Sequence, residues 1–205
     1  MHLINHRSDR AAAQAFVELL GWQVKVGHRC RTWQGCTCEN PECPVPGAHP
    51  VADGSPLLRD AEAVCAALEA SPGGALIAPT TAFDAVVVPR DLGSATLAAL
   101  DAKSRQVPCI LTGSTATFLV EAGTGQEAFQ GEETPGEVRG GGEGWVALPP
   151  STGCRWDTFP WLDGTVTPRA LRPGGDLAGP IADSLLYYRS RLAARTVEVG
   201  AEAVA

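Results

Sequence analysis

A short segment in the first quarter of the chain concentrates thiol and imidazole groups. Cys36, Cys38, Cys43 and His49 form the pattern C-x-C-x4-C-x5-H. Three thiolates and one imidazole complete a tetrahedral zinc shell with no open position, which is typical of a structural rather than a catalytic site. The pattern therefore predicts a structural Zn²⁺ held by these four side chains.

Two nearby residues leave the ligand set open. Cys30 is an alternative for one of the four ligands, with Cys36 the one it would replace, and His28 is a further candidate. The competing interpretation is a group of reduced loop cysteines without a metal. Clustered Cys and His in an intracellular chain of this size favour the metal. The other three cysteines, Cys65, Cys109 and Cys154, are scattered and are not expected to bind it.

The segment that carries these ligands lacks hydrophobic periodicity. Residues 27–56 are dominated by Cys, Pro, Gly and His and read as an irregular insertion. Such a segment cannot be ordered by burial of apolar side chains, so zinc binding would supply the free energy that orders it. We refer to residues 28–50 as the zinc loop.

The remaining chain alternates helical and extended patterns that must position this loop. Apolar residues at helical spacing predict helices over 8–20, with Ser8 as N-cap, 59–70, 94–102 and 177–195. Short apolar or β-branched runs predict strands over 22–26, 75–78, 85–88, 107–111, 117–120 and 144–148. Residues 123–144 are polar and glycine-rich and are predicted to contain little regular structure. This order predicts an α+β (mixed α/β) domain around a largely antiparallel or mixed sheet.

Composition limits the classes of function. The chain has 205 residues, 44% hydrophobic and 19% charged, which suits one globular domain with at most a small appendage. Its net charge of −7 means that a nucleic-acid-binding role would require a local basic face on an acidic body. The chain has no apolar run of membrane-spanning length, and its first ten residues are polar. These features predict a soluble, cytoplasmic protein with no membrane partner.

Four motifs in this order resemble the N-terminal domain of bifunctional DNA primase/polymerases, in the archaeo-eukaryotic primase superfamily. They are Gly21-Trp22, the Cys/His element ending at Pro50, residues 81–89 and residues 144–151. The closest likeness is to short actinobacterial members, and it covers residues 5–161. The resemblance implies a sheet like that of RNA-recognition motifs, flanked by helices, with nucleotidyl transfer that depends on Mg²⁺ or Mn²⁺ at the sheet surface.

The resemblance also implies catalytic side chains, most of which this chain lacks. The Asp-x-Asp pair of active relatives falls on Val86 and Val88, and the nucleotide-contacting histidine falls on Thr117. The third acid falls on Glu137, with Arg139 two residues later. Valine cannot chelate magnesium, which requires oxygen ligands. Ordinary two-metal polymerase chemistry is therefore not expected.

Weaker candidate residues remain. Asp84, Glu137 and Arg139 are the catalytic candidates if any nucleotidyl transfer survives, and Val86, Thr117 and Glu137 are expected to lie at one sheet face. Candidates for contact with nucleic acid or nucleotide are Thr117, Arg139, Trp145 and Arg155, because aromatic and guanidinium planes stack on bases and Arg binds phosphates. Aromatic residues in such a stretch also serve as core packing.

Three hypotheses follow from the sequence. The leading one is a zinc-containing primase/polymerase-like domain with a degenerate active site that binds nucleic acid, a nucleotide or a protein partner. The second is an active primase/polymerase in DNA replication or repair, and the third is a protein-interaction scaffold. In each case residues 1–165 form the domain and residues 166–205 a C-terminal helix and tail, and the oligomeric state stays open.

Overall fold

A computed structural model describes residues 9–31, 35–43, 45–51, 56–129, 134–162 and 167–202. The helices are α1 (Asp9–Gln14), continued by a π-helical segment (Ala15–Leu19), α2 (Ala61–Ala70), α3 (Arg90–Ala102), a 3-10 turn (Gly125–Ala128) and α4 (Gly175–Glu202). The first predicted helix is confirmed over residues 9–19, although its predicted cap, Ser8, lies outside the described residues. Together with the strands, these helices confirm the α+β class.

The strands are β1 (Lys25–Gly27), β2 (Cys30–Arg31), β3 (Gly35–Cys36), β4 (Ala75–Pro79), β5 (Asp84–Pro89), β6 (Cys109–Leu111), β7 (Thr115–Val120), β8 (Glu137–Arg139), β9 (Trp145–Leu148) and β10 (Arg155–Thr158). They form two sheets, ordered β1-β4-β9 and β10-β6-β7-β5-β8, and a small hairpin of β2 and β3. All the pairings between these described strands are antiparallel. The strands are therefore divided between two sheets, whereas the sequence pattern predicts one.

The two faces of the five-stranded sheet pack against different elements. In β5, Val86 lies opposite Phe118, whereas Val87 lies opposite Thr117 on one side and Glu137 on the other. Val86 and Phe118 belong to a buried cluster with residues from α3 and α4. The opposite face contributes Ala85, Ile110 and Leu119 to a second buried cluster, which includes residues of α1, α2 and the three-stranded sheet.

Two local features hold these layers in place. Gly93 of α3 lies so close to β7 that a Cβ there would be 2.1 Å from the Cβ of Ala116, so only glycine allows this approach. In the three-stranded sheet, the buried Ser151 Oγ accepts a hydrogen bond from the Leu76 N–H at 2.7 Å and donates one to the Leu76 carbonyl at 3.2 Å. The segment after β9 is thereby fixed to β4.

The polar segment 123–144 departs from its prediction. It contains the 3-10 turn and β8, which pairs with the buried β5 and thereby gains order that its own sequence does not provide. β10 was not predicted either, and α3 begins at Arg90 rather than at residue 94.

No helix in the described ranges combines the length and the apolar composition needed to cross a membrane.

Candidate metal centre

The zinc loop brings its four predicted ligands together. The ligand atoms of Cys36, Cys38, Cys43 and His49 all lie within 4.8 Å of one another. His49 Nε2 is 3.2 Å from Cys36 Sγ and 3.3 Å from Cys43 Sγ. Tetrahedral zinc requires separations of about 3.8 Å between sulfurs and about 3.6 Å between sulfur and nitrogen, given its usual bond lengths. The four residues are therefore close enough to bind a metal ion, as predicted.

Backbone geometry turns the loop around Cys36. Gly47 has φ +72° and donates its N–H to Cys36 Sγ at 3.4 Å. Glu39 also has a positive φ, of 62°, and its N–H bonds to the Cys36 carbonyl at 3.1 Å. The Cys43 N–H is held by the Asn40 carbonyl at 3.2 Å. Two left-handed residues thus fold the segment back so that all three thiols face one point.

The thiols of the group differ in acidity. Burial opposes ionisation of Cys36, but hydrogen bonds from the N–H groups of Cys38 and Gly47 and from His49 outweigh it and lower the Cys36 pKa to about 6. Burial, together with the interactions with Cys38 and Cys36, raises the pKa of Cys43 to about 11. A thiolate stabilised by backbone N–H groups is suited to hold a soft or borderline cation.

A second layer of contacts attaches His49 to the rest of the fold. The ring of His28 lies 4.6 Å from that of His49, and the His28 N–H donates to the His49 carbonyl at 2.9 Å. His28 Nδ1 is 3.0 Å from Thr37 Oγ1. His28 therefore supports the ligands but does not belong to the group of four, and neither does Cys30, which is exposed opposite Cys36 in the hairpin.

Comparison of the chain with protein-family models, with curated proteins and with solved structures gives no match.

The positions that the resemblance assigns to catalysis do not share one sheet face. Val86 and Val88 are 0% and 1% exposed and face α3 and α4. Thr117 and Glu137 lie in register with Val87, so their side chains belong to the opposite face. The expectation that Val86, Thr117 and Glu137 lie at one face is wrong, because adjacent residues of a strand point in opposite directions.

The weak catalytic candidates are separated in the same way. Asp84 lies on the face of Val86 and is 5% exposed; its Oδ2 accepts the Gly125 N–H at 2.9 Å. Its Oδ1 has no hydrogen-bond partner among the described residues. Glu137 is exposed on the other face, where it accepts a hydrogen bond from Arg139 Nε at 2.8 Å. The two carboxylates cannot share one metal ion in this arrangement.

The candidates for nucleic-acid contact do not form one group: Arg139 and Trp145 are neighbours, whereas Arg155 lies at the far edge of the sheet. Arg139 Nη1 donates to the Trp145 carbonyl at 3.0 Å, and the Trp145 ring lies 5.8 Å from the ammonium of the buried Lys25. Sequence reasoning missed Lys25, since its contact with Trp145 is made only in the folded sheet. Thr117 is 6% exposed. Arg155 is exposed on β10, at the edge of the five-stranded sheet opposite β8 and Arg139.

Two of the scattered cysteines are poor nucleophiles and poor ligands. Burial raises the pKa of the Cys109 thiol far above its usual value, and it raises that of Cys154 to about 12. Both side chains act as small apolar groups in the interior.

Gly47→Ala tests the turn at the metal centre. A Cβ at this position would lie 2.9 Å from the Cys30 N, in a backbone conformation that L residues disfavour. We expect a metal affinity more than tenfold weaker, because the contact with Cys30 adds to a backbone strain of about 1–2 kcal/mol. The measurement is competition with a chelator of known affinity.

Gly35→Ala is the matched control for Gly47→Ala. Gly35 has φ +75° in the same loop, but nothing lies within 4 Å of an added Cβ. It should therefore show a smaller loss, from backbone strain alone. Equal losses for the two variants would contradict the close approach of Gly47 to Cys30.

Proposed function

We propose that this chain is a zinc-containing, primase/polymerase-like module that binds nucleic acid and does not perform nucleotidyl transfer. The observation that carries the proposal is the burial of Val86 and Val88 beneath α3 and α4, at the positions where active relatives require two carboxylates. An apolar surface in these positions offers no oxygen ligand to Mg²⁺.

The metal centre has a structural role in this proposal. Cys36, Cys38, Cys43 and His49 supply four ligands, and a closed shell of three thiolates and one imidazole has no position for water or substrate. Thiolate and imidazole ligands favour Zn²⁺ over hard cations such as Mg²⁺. When bound, zinc would cross-link the loop. The protein's own contribution is the pair of turns and N–H groups that gather the thiols.

The distribution of carboxylates supports the absence of polymerase chemistry. Within the described ranges, the Cys/His group is the only set of three or more His, Cys, Asp and Glu residues placed closely enough to hold a metal ion. Two-metal phosphoryl transfer requires several oxygen ligands around cations about 3.5–4 Å apart. Asp84 and Glu137 lie on opposite faces of β5 and β8 and do not provide them.

One observation favours the second candidate, an active primase/polymerase. The buried Asp84 Oδ1 has no partner in the part of the chain that the structure describes, and a Cβ at Gly140 would lie 2.6 Å from it. An unpaired carboxylate oxygen in a buried, glycine-lined space is suited to contact a cation.

Primer extension separates the two candidates. Purified chain is incubated with a primed template, labelled deoxynucleotides and Mg²⁺ or Mn²⁺, and we expect no extension above the protein-free background. Extension that Asp84→Asn abolishes and the exposed Glu121→Gln leaves intact would overturn the proposal in favour of an enzyme. Failure to bind any oligonucleotide would overturn it in favour of a protein scaffold.

A further inference from the structure

A polar cleft lies directly beside the metal centre. It has a volume of about 310 Å³ and is open to solvent. One wall comprises His28, Arg29, Arg31 and Thr37, from the zinc loop, and the other is the turn at residues 71–74, between α2 and β4. Two segments more than thirty residues apart thus form one recess, and none of its described lining residues is acidic.

The charge around this cleft differs from that of the whole chain. Residues 19–38 contain Lys25, Arg29 and Arg31 but no Asp or Glu, and residues 70–83 also lack acids, in a protein of net charge −7. Three thiolates and one Zn²⁺ leave the filled metal centre with a single negative charge. Glu39 and Glu42 of the same loop offset the two arginines in number, so the basic character is confined to the lining of the cleft, which includes Arg29 and Arg31 and no described acid.

The guanidinium of Arg29 has a defined position. Its Nη1 donates to the Pro72 carbonyl at 3.4 Å, and it lies over Gly73, where an added Cβ would collide with Nη1. Gly73 has φ +75° and leaves open the space that the guanidinium occupies. The remaining N–H groups of a planar guanidinium match two oxygens of a phosphate.

The metal centre and the cleft share one segment. The Arg29 N–H donates to Thr37 Oγ1 at 3.1 Å, and the Thr37 N–H donates to the Arg29 carbonyl at 3.0 Å. Thr37 lies between Cys36 and Cys38. The ligand segment and the arginine segment are therefore bonded side by side, and ordering of one positions the other.

We propose that this cleft binds a backbone phosphate of a nucleic-acid strand through Arg29 and Arg31; the inference rests on the proposed function and gives it a contact site. An open recess does not enclose a free small molecule, but it can accept one phosphate of a strand that continues across the surface. None of Thr117, Arg139, Trp145 and Arg155 lines the cleft. The phosphate contact that we propose therefore lies in the zinc loop rather than on the sheet.

The test measures binding of a fluorescent single-stranded 15-mer DNA to the zinc-loaded full chain by anisotropy, over a series of salt concentrations. Each single-strand phosphate contact contributes about 0.7 to the slope of log affinity against log salt, so Arg29→Gln/Arg31→Gln, which removes the contact with one phosphate, should reduce the slope by about 0.7. We also expect at least a tenfold loss of affinity at the lowest salt concentration. Zinc content near one equivalent in the variant shows that the loop stays folded.

A charge-matched control removes two cations elsewhere. Lys103→Gln/Arg105→Gln gives the same net charge at the end of α3, where both side chains are exposed. This control should bind DNA as the original chain does. If the two double variants lose DNA affinity equally, binding depends on the overall charge of the chain, and the cleft is not the binding site.

The remaining outcomes distinguish this inference from the function on which it rests. If the unmodified chain binds DNA and Arg29→Gln/Arg31→Gln binds equally well, the cleft is not the contact site, while the nucleic-acid-binding role stands. If the unmodified chain does not bind DNA, the proposed function fails together with the cleft. If a mononucleotide competes as strongly as the unlabelled 15-mer, the ligand of the cleft is a free nucleotide rather than a nucleic-acid strand, and the inference is overturned.

Discussion

Cys43→Ser is expected to lose the metal and to unfold the zinc loop while the two buried clusters stay folded. Few described residues of the loop are buried, and neither cluster includes any described residue between 28 and 51. A segment without apolar burial cannot offset the entropy of its own ordering. Zinc binding contributes about 10–16 kcal/mol in small zinc domains, which is enough to order such a loop.

Two measurements check this result. Metal analysis of protein purified without added zinc should find about one equivalent, and Cys43→Ser should weaken binding at least ~100-fold, since even changes beyond the ligand shell cost 10–100-fold. Hydrogen exchange should rise across residues 28–50 and stay slow in β5 and β7. A metal-free protein with full protection of the loop would contradict a structural role for zinc.

Cys30→Ser is the matched control for the ligand set. Cys30 lies opposite Cys36 in the β2-β3 hairpin but is exposed and outside the group of four. The same chemical change at this thiol should leave the zinc content and the exchange pattern unchanged. Zinc lost by Cys30→Ser and kept by Cys43→Ser would instead assign Cys30 as a ligand.

The metal ligands could be predicted from the sequence because their proximity is local. All four lie within fourteen residues, and three prolines and one glycine, Gly47, between them restrict the turns. The turn at residues 71–74, which forms the other wall of the cleft, could not be predicted from local spacing, because α2 and its preceding segment separate it from Arg29. Only the antiparallel pairing of β1 with β4 brings these two segments together.

The orientation of the side chains of β5 could not be predicted from the sequence, for a different reason. Residues 85–88 read Ala-Val-Val-Val, so the strand is apolar on both faces, and its pattern does not reveal which residues face the helices. The register with β7 and β8 decides this, and it places Val86 rather than Val87 against α3 and α4. β8 and β10 were missed because each is a short edge strand with polar residues, which the neighbouring strand orders.

Val86→Asp is expected to be strongly destabilising, although it places an acid at the position that the resemblance assigns to catalysis. Val86 is 0% exposed and shares its cluster with Leu92, Phe118 and Leu177. A carboxylate there has no cation and no solvent, so we expect a loss of about 4 kcal/mol or more in the free energy of unfolding. Thermal denaturation should show a decrease in Tm of about 8–16 °C.

The loss should depend on pH in a defined direction. Burial raises the pKa of the new carboxyl above its unfolded value of about 4, so the folded state accepts the neutral form more readily than the charged one. The destabilisation is therefore smallest below about pH 4 and increases as the pH rises through the raised folded pKa. Val86→Ala is the control: it should lose about 2–3 kcal/mol from lost packing, with no such pH dependence relative to the original chain.

The double variant Val86→Asp/Val88→Asp decides whether this face opens. Two like charges in one apolar cluster should exceed the total stability of about 5–15 kcal/mol and prevent folding. A folded double variant that extends primers with Mg²⁺ would show that the face is accessible to substrate. In that case α4 would have to move away from the sheet, because Leu177 and Ile181 are buried in the same cluster as Val86 and Val88. Faster hydrogen exchange confined to α4, with β5 and β7 still protected, would then accompany the activity. An unfolded double variant that does not extend primers agrees with the proposal.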